Sequence, residues 1–139
     1  MDGIDRYRVS EVESADPARL VVVAYDGAIA FLLRAQNALE GGRPHEAAPH
    51  IFRAKRIILH LLASLDASAG DVTVNLERLY AFVLRRLAEA ALARDAAALE
   101  DGLRILSGLR GAWAQVAEAA ALEPAAEVSA ASSAVSVTG

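Results

Sequence analysis

A chain of 139 residues is long enough to build one domain around a real core, and it is too short for several. The absence of cysteine excludes a disulfide framework and thiolate metal ligands, and it fits a reducing compartment. The formal charge is −4 and the basic residues are scattered rather than gathered in a stripe, so nucleic acid is not indicated as a partner.

The start of the chain, Met1 to Tyr7, lacks a basic stretch followed by an apolar one, as a secretory signal would need. The apolar runs Leu20 to Tyr25 and Ile57 to Leu65 are interrupted well short of the roughly 20 residues that cross a bilayer. These features predict a cytoplasmic protein without membrane insertion. Abundant alanine and leucine favour helix, because alanine loses no side-chain entropy there. No segment alternates with period two between turn signals.

Four helices can be bracketed in chain order. Residues 1–15 form a leader, with room for one helical turn from Ile4 to Val9. Asp16-Pro17 supplies a cap and a first-turn proline for helix 1, which ends at Gly41-Gly42. Helix 2 runs from Pro44 to about Asp66, with Pro49 expected to kink its first turns. Asp71 is the expected cap of helix 3, which reaches about Arg94, and Asp95 caps helix 4, which runs to about Ala120. Residues 121–139 are rich in Ala, Ser and Val without helical periodicity and read as a disordered tail, dispensable from about Pro124 on. Long helices joined by short loops predict an all-α, antiparallel up-down four-helix bundle over residues 16–120.

The apolar inventory exceeds what one core stripe needs. Helix 1 offers two faces, Leu20, Val23, Gly27 and Phe31, and Val22, Tyr25, Ile29 and Leu32. Helix 2 carries Ile51, Ile58, Leu61 and Leu65 with Ile57 and Leu62 beside them. Helix 3 adds Leu76, Leu79, Tyr80, Val83 and Leu87. Such a surplus either thickens the core or reaches the surface and seeks a partner.

Signs of catalysis are weak. His45, His50 and His60 are spaced five and ten apart, not as the i, i+4 pair that shares a metal. His60 stands in a helix, as in histidine phosphotransfer bundles, but His60-Leu61-Leu62-Ala63-Ser64 lacks the lysine and glycine of that motif. Gly41-Gly42 lacks the Lys-Ser/Thr of a phosphate loop. Asp26, a carboxylate in an apolar stretch, is better suited to an ion pair between helices, with Arg85 or Arg86 as the expected partner. No catalytic residue, metal or cofactor is assigned.

Several segments together carry a resemblance. The leader Ile4-x-x-Tyr7 is followed by Val12-Glu13-Ser14-Ala15-Asp16-Pro17-x-x-Leu20 and then by Tyr25-Asp26-Gly27-Ala28. Leu65-Asp66, Gly70-Asp71, Asn75-Leu76, Leu79-Tyr80, Arg85-Arg86-Leu87 and Leu109-Arg110-x-Ala112-Trp113 come after these. In this order and spacing, over about residues 4–118, they resemble the FliS family of flagellin export chaperones. The chain departs from that pattern at Asp71 to Val74, at Pro49 and in the glycines of helix 4, Gly102, Gly108 and Gly111.

The resemblance implies a cytosolic chaperone that holds the disordered C-terminal segment of flagellin and prevents polymerisation before export. Other flagellar export components are further partners under this reading. Ile4, Tyr7, Leu20, Val23, Tyr25, Ile58, Leu61, Leu65, Leu76, Leu79, Tyr80 and Val83 are the candidates for partner binding, chosen by periodicity and by the resemblance. Asp26, Asn75, Arg86 and Trp113 are assigned structural roles. Ile4 and Tyr7 share one side of a helical turn and are expected to sit against the bundle and compete with, or readjust for, the incoming partner, the alternative being that they fill the bundle's end as core. The alternatives are phosphotransfer through His60 and a generic bundle that self-associates, for instance as a weak homodimer.

Overall fold

The computed structural model describes residues 17–66, 68 and 70–122. Ile4, Tyr7, the cap Asp16 and the tail from 123 onward lie outside the described residues. The chain forms four helices, α1 (Pro17–Glu40), α2 (Pro44–Ala63), α3 (Asp71–Ala93) and α4 (Ala96–Leu122). They close a ring in which α1 and α3 each pack against both α2 and α4. Gly27 lies beside Ile57 while Phe31 stacks on His50, so α1 and α2 run in opposite directions. Asp26 meets Arg110 while Leu32 lies beside Gly102, which sets α4 antiparallel to α1 as well.

Local chemistry fixes most of the helix ends. Gly42 adopts φ +70° after α1 and lets the Arg43 N–H reach the Ala38 carbonyl, closing a Schellman turn. α2 stops earlier than the apolar pattern suggests, at Ala63. The Ser64 hydroxyl donates to the Leu61 carbonyl at 2.8 Å, a local bond that competes with further helix. Pro49 lies within α2 without ending it. Asp71 does not cap α3. Gly70 holds that position with φ +75°, and Asp71 is the first helical residue, where its carboxylate faces the positive end of the dipole. Asp95 does cap α4, accepting the amides of Ala97 and Ala98 at 3.0 and 3.3 Å. The two-residue α3–α4 link is made by Arg94 at φ 55°, an uncommon conformation outside glycine.

Alanine builds much of the core. The buried row of α1 is Ala18, Val21, Tyr25, Ala28, Leu32, Ala35 and Ala38, and α2 adds Ala47 and Ala54 to Ile51, Ile58 and Leu61. Small side chains let helix axes approach closely. At Gly27 a Cβ would lie 3.3 Å from Ile57 Cδ1, so glycine there brings α1 and α2 together. The larger residues of the middle are Tyr25, Leu32, Ile58, Tyr80, Val83, Leu87, Leu99 and Leu106, all essentially fully buried. Burial of such side chains contributes about 1.5–3 kcal/mol each.

Candidate functional site: apolar furrows between the helices

The sequence motifs that looked functional turn out to hold the bundle together. Tyr25 and Tyr80 face each other across the centre, and their hydroxyls share a buried hydrogen bond of 2.6 Å. The Trp113 indole also bonds the Tyr25 hydroxyl. An indole N–H can only donate, so Tyr25 is free to donate onward to Tyr80. Burial pushes both phenols above their ordinary value, and the phenol partner raises Tyr25 further. Asp26, the next residue of the same motif, accepts from Arg110 Nε at 2.7 Å. This corrects the expectation that Arg85 or Arg86 would pair with Asp26. Arg86 is committed to Asp101, at 3.0 Å, and to Glu89, and Arg85 leans over the Phe82 ring. Asp26 lies on the flank of α1 turned to α4, out of reach of α3.

Six proposed partner-binding residues, Tyr25, Ile58, Leu61, Leu76, Tyr80 and Val83, are core residues at 7% exposure or less. Periodicity picked them because a core row and a contact row have the same spacing. Leu20 and Leu65 are half-buried. Val23 at 44% and Leu79 at 37% are open to solvent. Asn75 is exposed, and Trp113 is buried.

What the helices leave uncovered runs in furrows. Leu79 and Val72 lie seven and fourteen residues before Arg86 on one flank of α3, and Ile105, Leu109 and Val116 recur at helical spacing after Asp101 on α4, so by helical geometry the two rows border one seam. The Arg86–Asp101 ion pair shows that these two flanks meet, and Arg104 joins it at 3.1 Å from Asp101, closing the furrow with charge at one end. Between α1 and α4, Ile29, Leu33 and Leu103 floor an open depression of about 490 Å³, with Glu100, Asp101 and Arg104 at its edge. On α2, Phe52 and Leu59 are exposed on the flank away from α1. Val72, Val116, Phe52, Leu59 and Leu33 were not among the sequence candidates. A break in the repeat could have marked them, since each sits one or two positions off the buried row. Exposed apolar side chains at these spacings suit the i, i+3, i+4, i+7 anchors of an amphipathic helix.

His60 is exposed, and no carboxylate or lysine is bonded to it among the described residues. Among those residues no group of three His, Cys, Asp or Glu side chains is placed to hold a metal ion. No described helix is long and apolar enough to cross a membrane.

Residues 1–120 match the family described as Flagellar protein FliS. The chain belongs to the FliS family. It is 36% identical over 116 residues to the flagellar secretion chaperone FliS of Salmonella typhimurium, covering 82% of this chain and 86% of that one. Against FliS of Escherichia coli the identity is 32% over 106 residues, 75% of this chain and 78% of the relative. Against FliS of Vibrio cholerae it is 28% over 108 residues, 77% and 79%. Within this chaperone family the motif Tyr25-Asp26-Gly27 gains a physical meaning. Its three residues tie α1 to α3, α4 and α2 in turn.

Proposed function

We propose that this FliS chain captures the disordered C-terminal segment of flagellin in the cytosol and holds it helical in the furrows until export. The observation that carries the reading is the row of exposed apolar side chains beside a core that is already complete. Tyr25, Leu32, Ile58 and Leu87 fill the centre at 0% exposure, so Val72, Leu79 and Val116 are surplus to folding. Surplus apolar surface in a single small domain is best used against a partner. A disordered segment gains helix as it docks, and a long wrapped contact offsets its ordering entropy. The mechanism is stoichiometric binding. While the segment lies on the bundle, its apolar face is hidden from other flagellin subunits.

The test is circular dichroism of the chain mixed with a peptide of the flagellin C-terminal segment. The mixture should show more helix than the sum of its parts and should coelute on size exclusion. An additive spectrum without a complex would overturn the proposal. A pull-down from lysate separates the rivals, since a response regulator would point to phosphotransfer and recovery of the chain alone to self-association.

A further inference from the structure

The α1–α2 face carries a cluster of aromatic and cationic side chains at the edge of the core, where Phe31 packs against it. Phe31, half-buried on α1, stacks on His50 of α2 with ring centroids 6.2 Å apart. The Arg34 guanidinium lies 5.5 Å from the Phe31 ring centre and that of Arg53 lies 5.9 Å from it. The two cations are therefore within 11.4 Å of each other, one on each helix. Among the described residues neither has a carboxylate partner, although Arg43, Arg86, Arg104 and Arg110 all have one. His50 Nδ1 is buried and has no hydrogen-bond partner. The sequence around the cluster is equally one-sided. Arg34 is the only charged residue between Gly27 and Leu39, and residues 47–65 hold Arg53, Lys55 and Arg56 with no acid.

Like charges gathered on one ring repel each other, and an anion between them relieves the repulsion. Guanidinium donors pair with carboxylate in a fork geometry that lysine cannot reproduce. The same face continues past Gly27 to the exposed Val23 and the half-buried Ile57, so an apolar strip leads up to the cations. The cluster lies midway along α1 rather than at a closed end, which suits a helix passing through more than a chain terminus.

We infer that Arg34 and Arg53, braced on Phe31 and His50, form a clamp for a side-chain carboxylate of the bound helical segment, which thereby sets its register on the α1–α2 face. The inference rests on the flagellin-binding reading above. The clamp adds an electrostatic contact to one that is otherwise apolar, so it makes association faster at low salt and penalises segments without an acid at that position.

The test uses the full chain, its R34Q/R53Q variant, and two amidated flagellin C-terminal peptides. One peptide has its natural acids and the other has Asp and Glu replaced by Asn and Gln. The expected result is that the variant binds the natural peptide about tenfold more weakly at low salt. That difference should shrink as salt rises, and the melting temperature should be unchanged. The neutralised peptide should bind chain and variant alike, because the two changes remove one contact. Equal affinity of chain and variant for the natural peptide would overturn the clamp and leave the flagellin reading standing. Failure of the unaltered chain to bind either peptide would overturn both. Two other occupants are read in parallel, and either result would overturn the assignment. A change in oligomeric state between chain and variant gives the clamp to a second copy. An affinity gain on neutralising Asp2, Asp5, Glu11 and Glu13 in the full chain, absent from the variant, gives it to the leader.

Discussion

Replacing Tyr25 and Tyr80 with phenylalanine, singly and together, tests how the centre of the bundle is held. The Tyr25 hydroxyl accepts from Trp113 and lies 2.6 Å from that of Tyr80. Tyr25→Phe therefore strands the Tyr80 hydroxyl, in a residue only 2% exposed, and also deprives Trp113. A buried polar group left without its partner costs about 1–3 kcal/mol. Tyr80→Phe leaves Tyr25 still bonded to Trp113, so its cost should be nearer the ordinary 1 kcal/mol or so of one hydrogen bond. The double variant strands no phenol and should be less destabilised than the two singles added together, with a coupling of about 1 kcal/mol. Denaturant unfolding with an unchanged slope reads all three values. Alkaline pH gives a second readout. Both phenols titrate above 10 when folded and near 10 when unfolded. Above pH 10 the unfolded chain therefore binds fewer protons than the folded one, and stability falls with rising pH by up to about 1.4 kcal/mol per unit per tyrosine. Below pH 10 this contribution is fully present, and the double variant should lack the slope. Equal single effects, strict additivity and an unchanged alkaline slope would refute the buried relay.

Three further outcomes can be checked. A Cβ on Gly108 or Gly111 would meet nothing within 4 Å, whereas one on Gly102 would press on Leu87 Cδ2 at 3.1 Å. Gly108→Ala and Gly111→Ala should each stabilise α4 by about 0.5–1 kcal/mol, with Gly102→Ala gaining less or losing, as melting temperatures would show. Deleting residues 1–9 should tighten flagellin binding and increase self-association if Ile4 and Tyr7 cover an apolar furrow; a lower melting temperature with weaker binding would make them part of the core instead, and unchanged binding and aggregation would dismiss any role in the furrow. His60→Gln should leave swimming and protein level unchanged, and lost motility at normal protein level would revive phosphotransfer.

The four helices were legible because their ends carry local chemistry, as Gly42 and Asp95 show. The sequence predicts a later end for α2 because Leu65 continues the apolar row, whereas Ser64 has already turned the chain. The core was harder to read. Alanine serves helix propensity and burial equally well, so Ala18, Ala28, Ala35 and Ala38 gave no sign that they form the buried row of α1. Larger residues stand out instead, and the spacing of Tyr25, Ile58 and Val83 suits a partner-facing row as well as the centre that they fill. Asp26 reads from the sequence as a bridge between helices, and the structure pairs it with Arg110, because its partner depends on which flank of α1 faces α4 and ring order is not written in one-dimensional spacing. The furrow residues Val72 and Val116 fall off the dominant period, and only the packed bundle shows that they lie on adjoining flanks.

On the function proposed above, the furrows and not a catalytic group do the work of this chaperone. Backbone amide NMR of the isotope-labelled full chain, titrated with the flagellin C-terminal peptide, tests it most directly. Shifts should be concentrated at exposed or furrow-lining positions, with Val72, Leu79, Leu109 and Val116 moving together and saturating at one peptide per chain. A peptide that leaves these amides unmoved, or that shifts only residues around His60, would contradict it.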